Sequence, residues 1–183
     1  MRLLSLLEMR TKLSYLVALL AISSALIGCL KVENFPDEPT ISFDELVIRG
    51  DSATINFSFT DGDGNFGLTE EDSNIPPFDE GIYQNNLFLS YFELDANGVW
   101  QEFSSNLPVT SPYYIPLGFN SSVEWLQPEG TNKTQQGTVS YNLGQAYFNP
   151  ASALDSCRFS FYIVDRDLNE SNVELTNSFK KPS

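Results

Sequence analysis

The sequence predicts an all-β domain of two packed antiparallel sheets, and three observations carry that prediction. Apolar and polar residues alternate with a period of two in several separate stretches. Gly, Asn, Asp and Pro fall between those stretches, and beyond the first 28 residues no long segment repeats its apolar residues at helical spacing.

Taken in order, residues 41–48 form the first candidate strand. Ile55, Phe57 and Phe59 then face one way while Thr54, Asn56 and Ser58 face the other. Leu87–Leu94 carries apolar residues on both faces, as a central strand does, and Asp95-Ala96-Asn97-Gly98 turns it into Val99–Phe103, the clearest hairpin. Val139, Tyr141 and Leu143 alternate again, as do Cys157, Phe159, Phe161 and Ile163, and residues 172–179 complete a set of about seven strands. Tyr113–Leu117 is a weaker strand, cut by Pro112 and Pro116, and a helical turn is expected only around Ala151–Asp155. Residues 104–133 carry little pattern, so that stretch is either functional or hides a strand. Seven short antiparallel strands with this punctuation predict a Greek-key sandwich of immunoglobulin type over residues 40–183. Ile55–Phe59 is its second strand, Leu87–Leu94 its third, Cys157–Val164 its penultimate and Val173–Phe179 its last.

Ahead of the domain stands a different kind of segment. Arg10 and Lys12 precede an uncharged run, Leu13–Gly28, which is shorter than the ~20 apolar residues of a spanning helix and ends in Leu26-Ile27-Gly28-Cys29. That ending resembles the lipobox of bacterial lipoproteins. The resemblance implies that residues 1–28 are a cleaved signal peptide, that Cys29 becomes the first residue and carries a diacylglyceryl group, and that its new amine is acylated. Translation from Met9 would give the same signal with a shorter n-region. Two or three acyl chains hold a protein on a membrane without a spanning helix. Residues 29–39 then read as the lipidated cysteine and a polar tether containing Lys31, Glu33, Asp37 and Glu38. Lys31-Val32-Glu33 is similar to the tag that sends some Bacteroidetes lipoproteins to the cell surface, while the lipid anchor by itself serves either face of the outer membrane.

Without the signal peptide, 155 residues carry 7 basic and 23 acidic side chains, a net charge of −16. One domain with a sizeable core fits that length. A surface this acidic repels phosphate backbones, which argues against nucleic acid, and attracts cations. The chain has no histidine, which excludes Ser-His-Asp and Cys-His catalysis and the usual zinc sites. With Cys29 acylated, Cys157 is the remaining thiol and cannot form an intrachain disulfide; its place on the apolar face of a strand predicts a buried packing residue.

Two acidic segments stand out. In Asp61-Gly62-Asp63-Gly64-Asn65, oxygen-bearing side chains at alternate positions can converge on a hard cation if the backbone curls. Phe66 and Asp72 replace the Gly and Glu of an EF-hand loop, which excludes that motif. The second segment, Asp165-Arg166-Asp167-Leu168-Asn169-Glu170-Ser171-Asn172, follows the penultimate strand, and the predicted topology brings both loops to one end of the sandwich. Asp61, Asp63, Asn65, Asp165 and Asp167 are therefore the candidate calcium ligands. The alternative is that they only shape turns, with Arg166 or solvent balancing the charge.

Phe-Thr-Asp-Gly-Asp-Gly-Asn-Phe-Gly from Phe59, Val-Asp-Arg-Asp-Leu-Asn-Glu-Ser-Asn from Val164, the lipobox and Gly98-Val99-Trp100 together resemble a group of uncharacterised Bacteroidetes outer-membrane lipoproteins with an immunoglobulin-like domain. The resemblance spans nearly the whole chain after Cys29 and implies the fold and the location, with no activity attached. Many members have Asp-Ile where Asn65-Phe66 stand, so a cation site here has one charge fewer. Asp51-Ser52-Ala53 fits a three-residue O-glycosylation pattern of that phylum, or an ordinary loop.

Three functions compete. The poverty of catalytic side chains favours a lipid-anchored, non-catalytic binding or structural module with a protein partner or none. A glycan-binding lipoprotein of a polysaccharide-uptake system would stack sugars on Trp100, Trp125, Tyr113 and Tyr114. A glycoside hydrolase needs two carboxylates across a cleft, and Glu93, Glu102 and Glu124 are the separated candidates, the first two being expected as neighbours on an exposed hairpin face. The absence of a nucleophile–base pair argues against an enzyme.

Overall fold

The computed structural model describes residues 35–115, 118–128, 133–145 and 147–182. The segment expected to be a signal peptide (residues 1–28), Cys29 and the expected tether as far as Asn34 lie outside the described residues, as do Pro116 and Leu117 of the weaker strand. The described residues form eight strands: β1 (Thr40–Arg49), β2 (Ser52–Asp61), β3 (Leu87–Leu94), β4 (Trp100–Phe103), β5 (Gln135–Gly144), β6 (Ser156–Ile163), β7 (Glu174–Leu175) and β8 (Phe179–Lys180). One sheet has the order β1-β2-β5 and the other β4-β3-β6-β7, with β8 also on β6. All pairs are antiparallel, so this is the immunoglobulin-like sandwich that the alternation predicts.

The core is the set of inward positions on the long strands. Ala53, Ile55 and Phe57 of β2 face Leu87, Leu89 and Tyr91 of β3 and Cys157, Phe159, Phe161 and Ile163 of β6, all buried. Phe57 meets Phe161 between the sheets at 5.2 Å, and Tyr91 meets Phe159 at 5.4 Å. Burying each ring contributes roughly 1.5–3 kcal/mol. In β1 the register with β2 shifts between Phe43 and Glu45. The extra residue, Asp44, lets Ile41 and Phe43 face inward before it and Leu46 after it; without that bulge Leu46 would point to solvent.

Three expectations are corrected. The last expected strand, Val173–Phe179, is two short strands, because Thr176 leaves the ladder: its Oγ1 accepts from the Phe159 amide at 3.0 Å and its own amide donates to the Phe159 carbonyl. Ala151–Asp155 is not helical; the Asn149 side chain accepts from the Ala151 amide and Ser152 Oγ from Leu154, which holds a non-helical turn. Tyr113–Leu117 forms no strand among its described residues, although Ser104 and Tyr114 make an isolated bridge.

Candidate functional site

The loop after β2 and the loop after β6 meet at one end of the sandwich, as the topology predicts. The Asn65 Nδ2 donates to Asp63 Oδ2 at 2.9 Å and, across the loops, to Asp167 Oδ2 at 3.0 Å. The Arg166 amide reaches the Asn65 carbonyl at 3.4 Å. The first loop curls because its glycines allow it. Gly64 has φ +76° and stands against the Lys133 carbonyl, while Gly62 lies so close to the Phe35 and Pro36 carbonyls that any side chain would collide with them. The curl returns Phe66 over β2, where its ring stacks on Phe59 at 3.8 Å.

Each carboxylate of this pole has local work. Fully buried Asp61 accepts from the Phe66 amide at 2.9 Å. Asp63 accepts from the Asn65 amide. Fully buried Asp165 takes the amides of Asp167 and Asn169 on one oxygen, at 2.9 and 2.8 Å, and the Asn169 side chain on the other. Burial, with the nearby charges of Asp63 and Asp165 and against the Phe66 amide, pushes Asp61 up to about 6. Burial also raises Asp63, helped by Asp165, Asp167 and Asp37, and raises Asp165 against the hydrogen bonds from Asn169. The five expected ligands are thus neighbours, but the Asn65 carboxamide sits between Asp63 and Asp167. Among the described residues no three acidic side chains stand in an arrangement that holds a metal ion. Asp61 Oδ1 and Asn65 Oδ1 are buried without a hydrogen-bond partner among the described residues. As drawn by these contacts, the pole is a network of loop-forming carboxylates.

Arg166 does not neutralise that cluster. Its Nη2 pairs with Asp72 at 2.8 Å, and its guanidinium lies 5.0 Å over the Trp125 ring, whose Nε1 donates to the Gly64 carbonyl at 2.8 Å. Asp72 also accepts from the Thr69 amide and hydroxyl, at 2.7 and 2.8 Å. Trp125 further lines a hollow of about 500 Å³ with Thr69, Glu70, Ser73, Gln84 and Glu124.

The other aromatic candidates lie apart from Trp125. Trp100 is on the outer face of β4 with Arg158 stacked 4.3 Å over it, Tyr113 packs edge-on against Phe103 at 5.6 Å, and Tyr114 is half-buried beside Ser104. A second groove, about 340 Å³, crosses the outer face of the larger sheet past Ser90, Glu102, Ser160 and Tyr162.

The carboxylate pair expected on an exposed hairpin face is corrected. Phe92 pairs with Glu102 and Glu93 with Gln101, so Glu93 and Glu102 point to opposite faces. Glu102 is exposed and accepts from Ser90 Oγ at 2.8 Å. Glu93 is fully buried at the end of the core away from the acidic loops. There Lys181 Nζ lies 2.7 Å from Glu93 Oε1, Tyr91 Oη donates to the same oxygen at 2.7 Å, and Ser152 Oγ bonds to Oε2. Tyr91 Oη also meets Cys157 Sγ at 3.0 Å, and burial pushes that thiol up to about 11, the inert packing cysteine the sequence predicts. Alternation from Leu89 through Tyr91 to Glu93 was the signal that Glu93 faces inward. The partner, Lys181, stands 88 positions later and left no local signal. Compared with protein-family models, with curated proteins and with solved structures, the chain matches none.

Proposed function

We propose that the protein is a lipid-anchored, non-catalytic binding or structural module of the bacterial outer membrane. The observation that carries this reading is Leu26-Ile27-Gly28-Cys29 closing an uncharged run, with the first strand of the sandwich beginning only eleven residues after Cys29. The side chains support a passive scaffold: among the described residues the one buried carboxylate–ammonium pair, Glu93–Lys181, locks core to C-terminal segment and opens on neither of the two hollows described above. Expressed with its signal in a bacterium fed an alkyne-bearing palmitate analogue, the protein takes up label and partitions with outer membranes. Cys29→Ala loses both; a variant that stays in the membrane fraction refutes the anchor.

Glycan capture is the second reading, and the hollow beside Trp125 favours it. A half-buried indole ringed by Glu70, Gln84, Ser73 and Glu124 offers a stacking surface with hydrogen-bonding groups around it, the chemistry a neutral sugar needs. Affinity electrophoresis through gels containing soluble polysaccharides tests it. Retardation that Trp125→Ala and Glu124→Gln both weaken supports this reading; migration that no polysaccharide slows removes it.

A further inference from the structure

The sandwich has several sheet edges, and three of them carry devices that block strand addition. β1 has the bulge at Asp44 and the charges of Asp44, Glu45 and Arg49. Its outward backbone groups are also capped: Asn172 Oδ1 accepts from the Ile41 amide at 2.8 Å, Asn172 Nδ2 donates to the Ile41 carbonyl at 2.9 Å, and Glu174 Oε2 accepts from the Phe43 amide at 3.2 Å. β4 has four residues and carries Glu102. β7 and β8 have two residues each.

Along Gln135–Asn142 β5 carries none of these; its register shift against β2, at Leu143, lies beyond that stretch. It runs for ten residues, Gln135–Gly144, without a charge or a proline, in a chain whose net charge is −14, and among the described residues it pairs with β2 alone. Which of its backbone groups are free follows from β1. The amides of Ile41 and Phe43 point away from β2, so Ser42 points toward it, as does its partner Ser58 toward β1. Phe57 and Phe59 therefore turn their backbone groups to β5, where they meet Val139 and Gly137. By the same alternation Gln136, Thr138, Ser140 and Asn142 present N–H and C=O to the free edge.

We propose that β5 is the edge through which two copies of this chain associate, pairing antiparallel about a two-fold axis at Val139 to make one six-stranded sheet. The occupant is a second copy because the edge is complementary to itself. With Val139 on the axis, Thr138 faces Ser140, Gln136 faces Asn142, and Gly137 faces Tyr141, each pair occurring twice. A Cβ at Gly137 would press within 3.1 Å of the Phe59 ring, and the bare backbone of the glycine leaves room for the facing tyrosine. Two acidic bodies approach most easily along a line without charge, and β5 is such a line.

The test uses residues 34–183, one compact unit that contains the whole core. Sedimentation equilibrium is expected to give a monomer–dimer equilibrium within ~10 μM to 1 mM. Thr138→Lys with Ser140→Lys sets like charges opposite each other twice and is expected to give a monomer, although the added lysines lower the net negative charge. Thr138→Lys with Ser140→Glu sets opposite charges face to face and is expected to dimerise again. Hydrogen exchange on the unaltered protein is expected to slow at the amides of Thr138 and Ser140 as concentration rises. A monomer throughout the range overturns the proposal, as does a dimer that the double-lysine variant leaves intact. A Lys–Glu variant that stays monomeric overturns the axis at Val139, and edge amides whose exchange ignores concentration overturn the pairing in a protein with no substitution.

Discussion

Replacing Lys181 by methionine keeps an unbranched apolar stem, one atom shorter, and removes the ammonium with its charge and its donors. In the native domain the Lys181 ammonium, its side chain 9% exposed, lies 2.7 Å from Glu93 Oε1 and donates to the Asn149 carbonyl at 2.8 Å and the Ser152 carbonyl at 3.3 Å. Without it, a fully buried carboxylate keeps only the hydroxyls of Tyr91 and Ser152, and the two carbonyls lose a donor. Breaking one side of a buried ion pair costs ~3–5 kcal/mol. For a domain of this size, with an m-value of ~2 kcal/mol/M in urea, the unfolding midpoint should fall by ~2 M without a change in slope. Each kcal/mol lowers Tm by ~2–4 °C, so a drop of ~6–20 °C is expected. Glu93→Gln with Lys181→Met removes both charges and should recover at least ~2 kcal/mol of that loss, a coupling readable from the double-mutant cycle. A Lys181→Met loss under ~1 kcal/mol, or additive single effects, would falsify the claim that this pair holds the C-terminal segment to the core.

Acidity should stabilise the fold over a defined window. Asp61, pushed up to about 6 mainly by burial, holds its proton in the folded state over pH values where the unfolded chain has lost it, so its contribution is full below 3.8 and is lost as pH rises through about 6. That shift corresponds to about 3 kcal/mol, with Asp63 and Asp165, also raised mainly by burial, acting in the same sense. Asp72, where burial is outweighed by hydrogen bonds from Thr69 and Arg166, is lowered and works the opposite way, losing its contribution as pH falls below 3.8. Chemical denaturation should therefore find maximum stability at pH ~4–5, and a maximum at pH 7 or above would contradict the buried acidic pole. Because these carboxylates already serve amide donors, calcium and sodium chloride at matched ionic strength should shift Tm alike; a calcium-specific rise that Asp63→Ala removes would restore the cation reading. Gly64→Ala should cost more than ~2 kcal/mol, since its Cβ would meet the Lys133 carbonyl, whereas Gly98→Ala, with a similar φ but open space, should cost ~1 kcal/mol. Equal losses in thermal melts would show that backbone conformation, and not the close approach, decides.

Much of this fold is written in short-range pattern. The inward residues of β2 and β6 follow from period two alone, and the Asp95–Gly98 turn locates the hairpin. The meeting of the acidic loops follows once those strands are ordered into a Greek key. What pattern could not supply was any contact made by a single side chain over a long separation. Thr176 splitting the last strand, Arg166 choosing Asp72 over its nearer acidic neighbours, and Lys181 reaching Glu93 all depend on where one atom lands after folding. Glu93 lies between these cases: its face was legible from Leu89 and Tyr91, yet a charged residue predicts exposure unless its partner is known. Residues 104–133 read as patternless because their described residues make isolated bridges, such as Leu87 with Ser121 and Leu68 with Glu124, and no sustained ladder.

The stitched edge of β1 bears on how the domain meets a pull. The chain enters at the end where the Gly62 amide bonds to the Pro36 carbonyl and leaves at the other, where the Lys181 amide bonds to the Asp155 carbonyl. Tension between the termini runs along β1 and loads its ladder to β2 in shear, all the pairs from Thr40–Thr60 to Arg49–Ser52 sharing the load together. Asn172 and Glu174 add resistance from the opposite side of the strand, tying it to the segment around β7. Such a strand yields by sliding as a whole, a mode that resists flow and drag better than peeling one bond at a time.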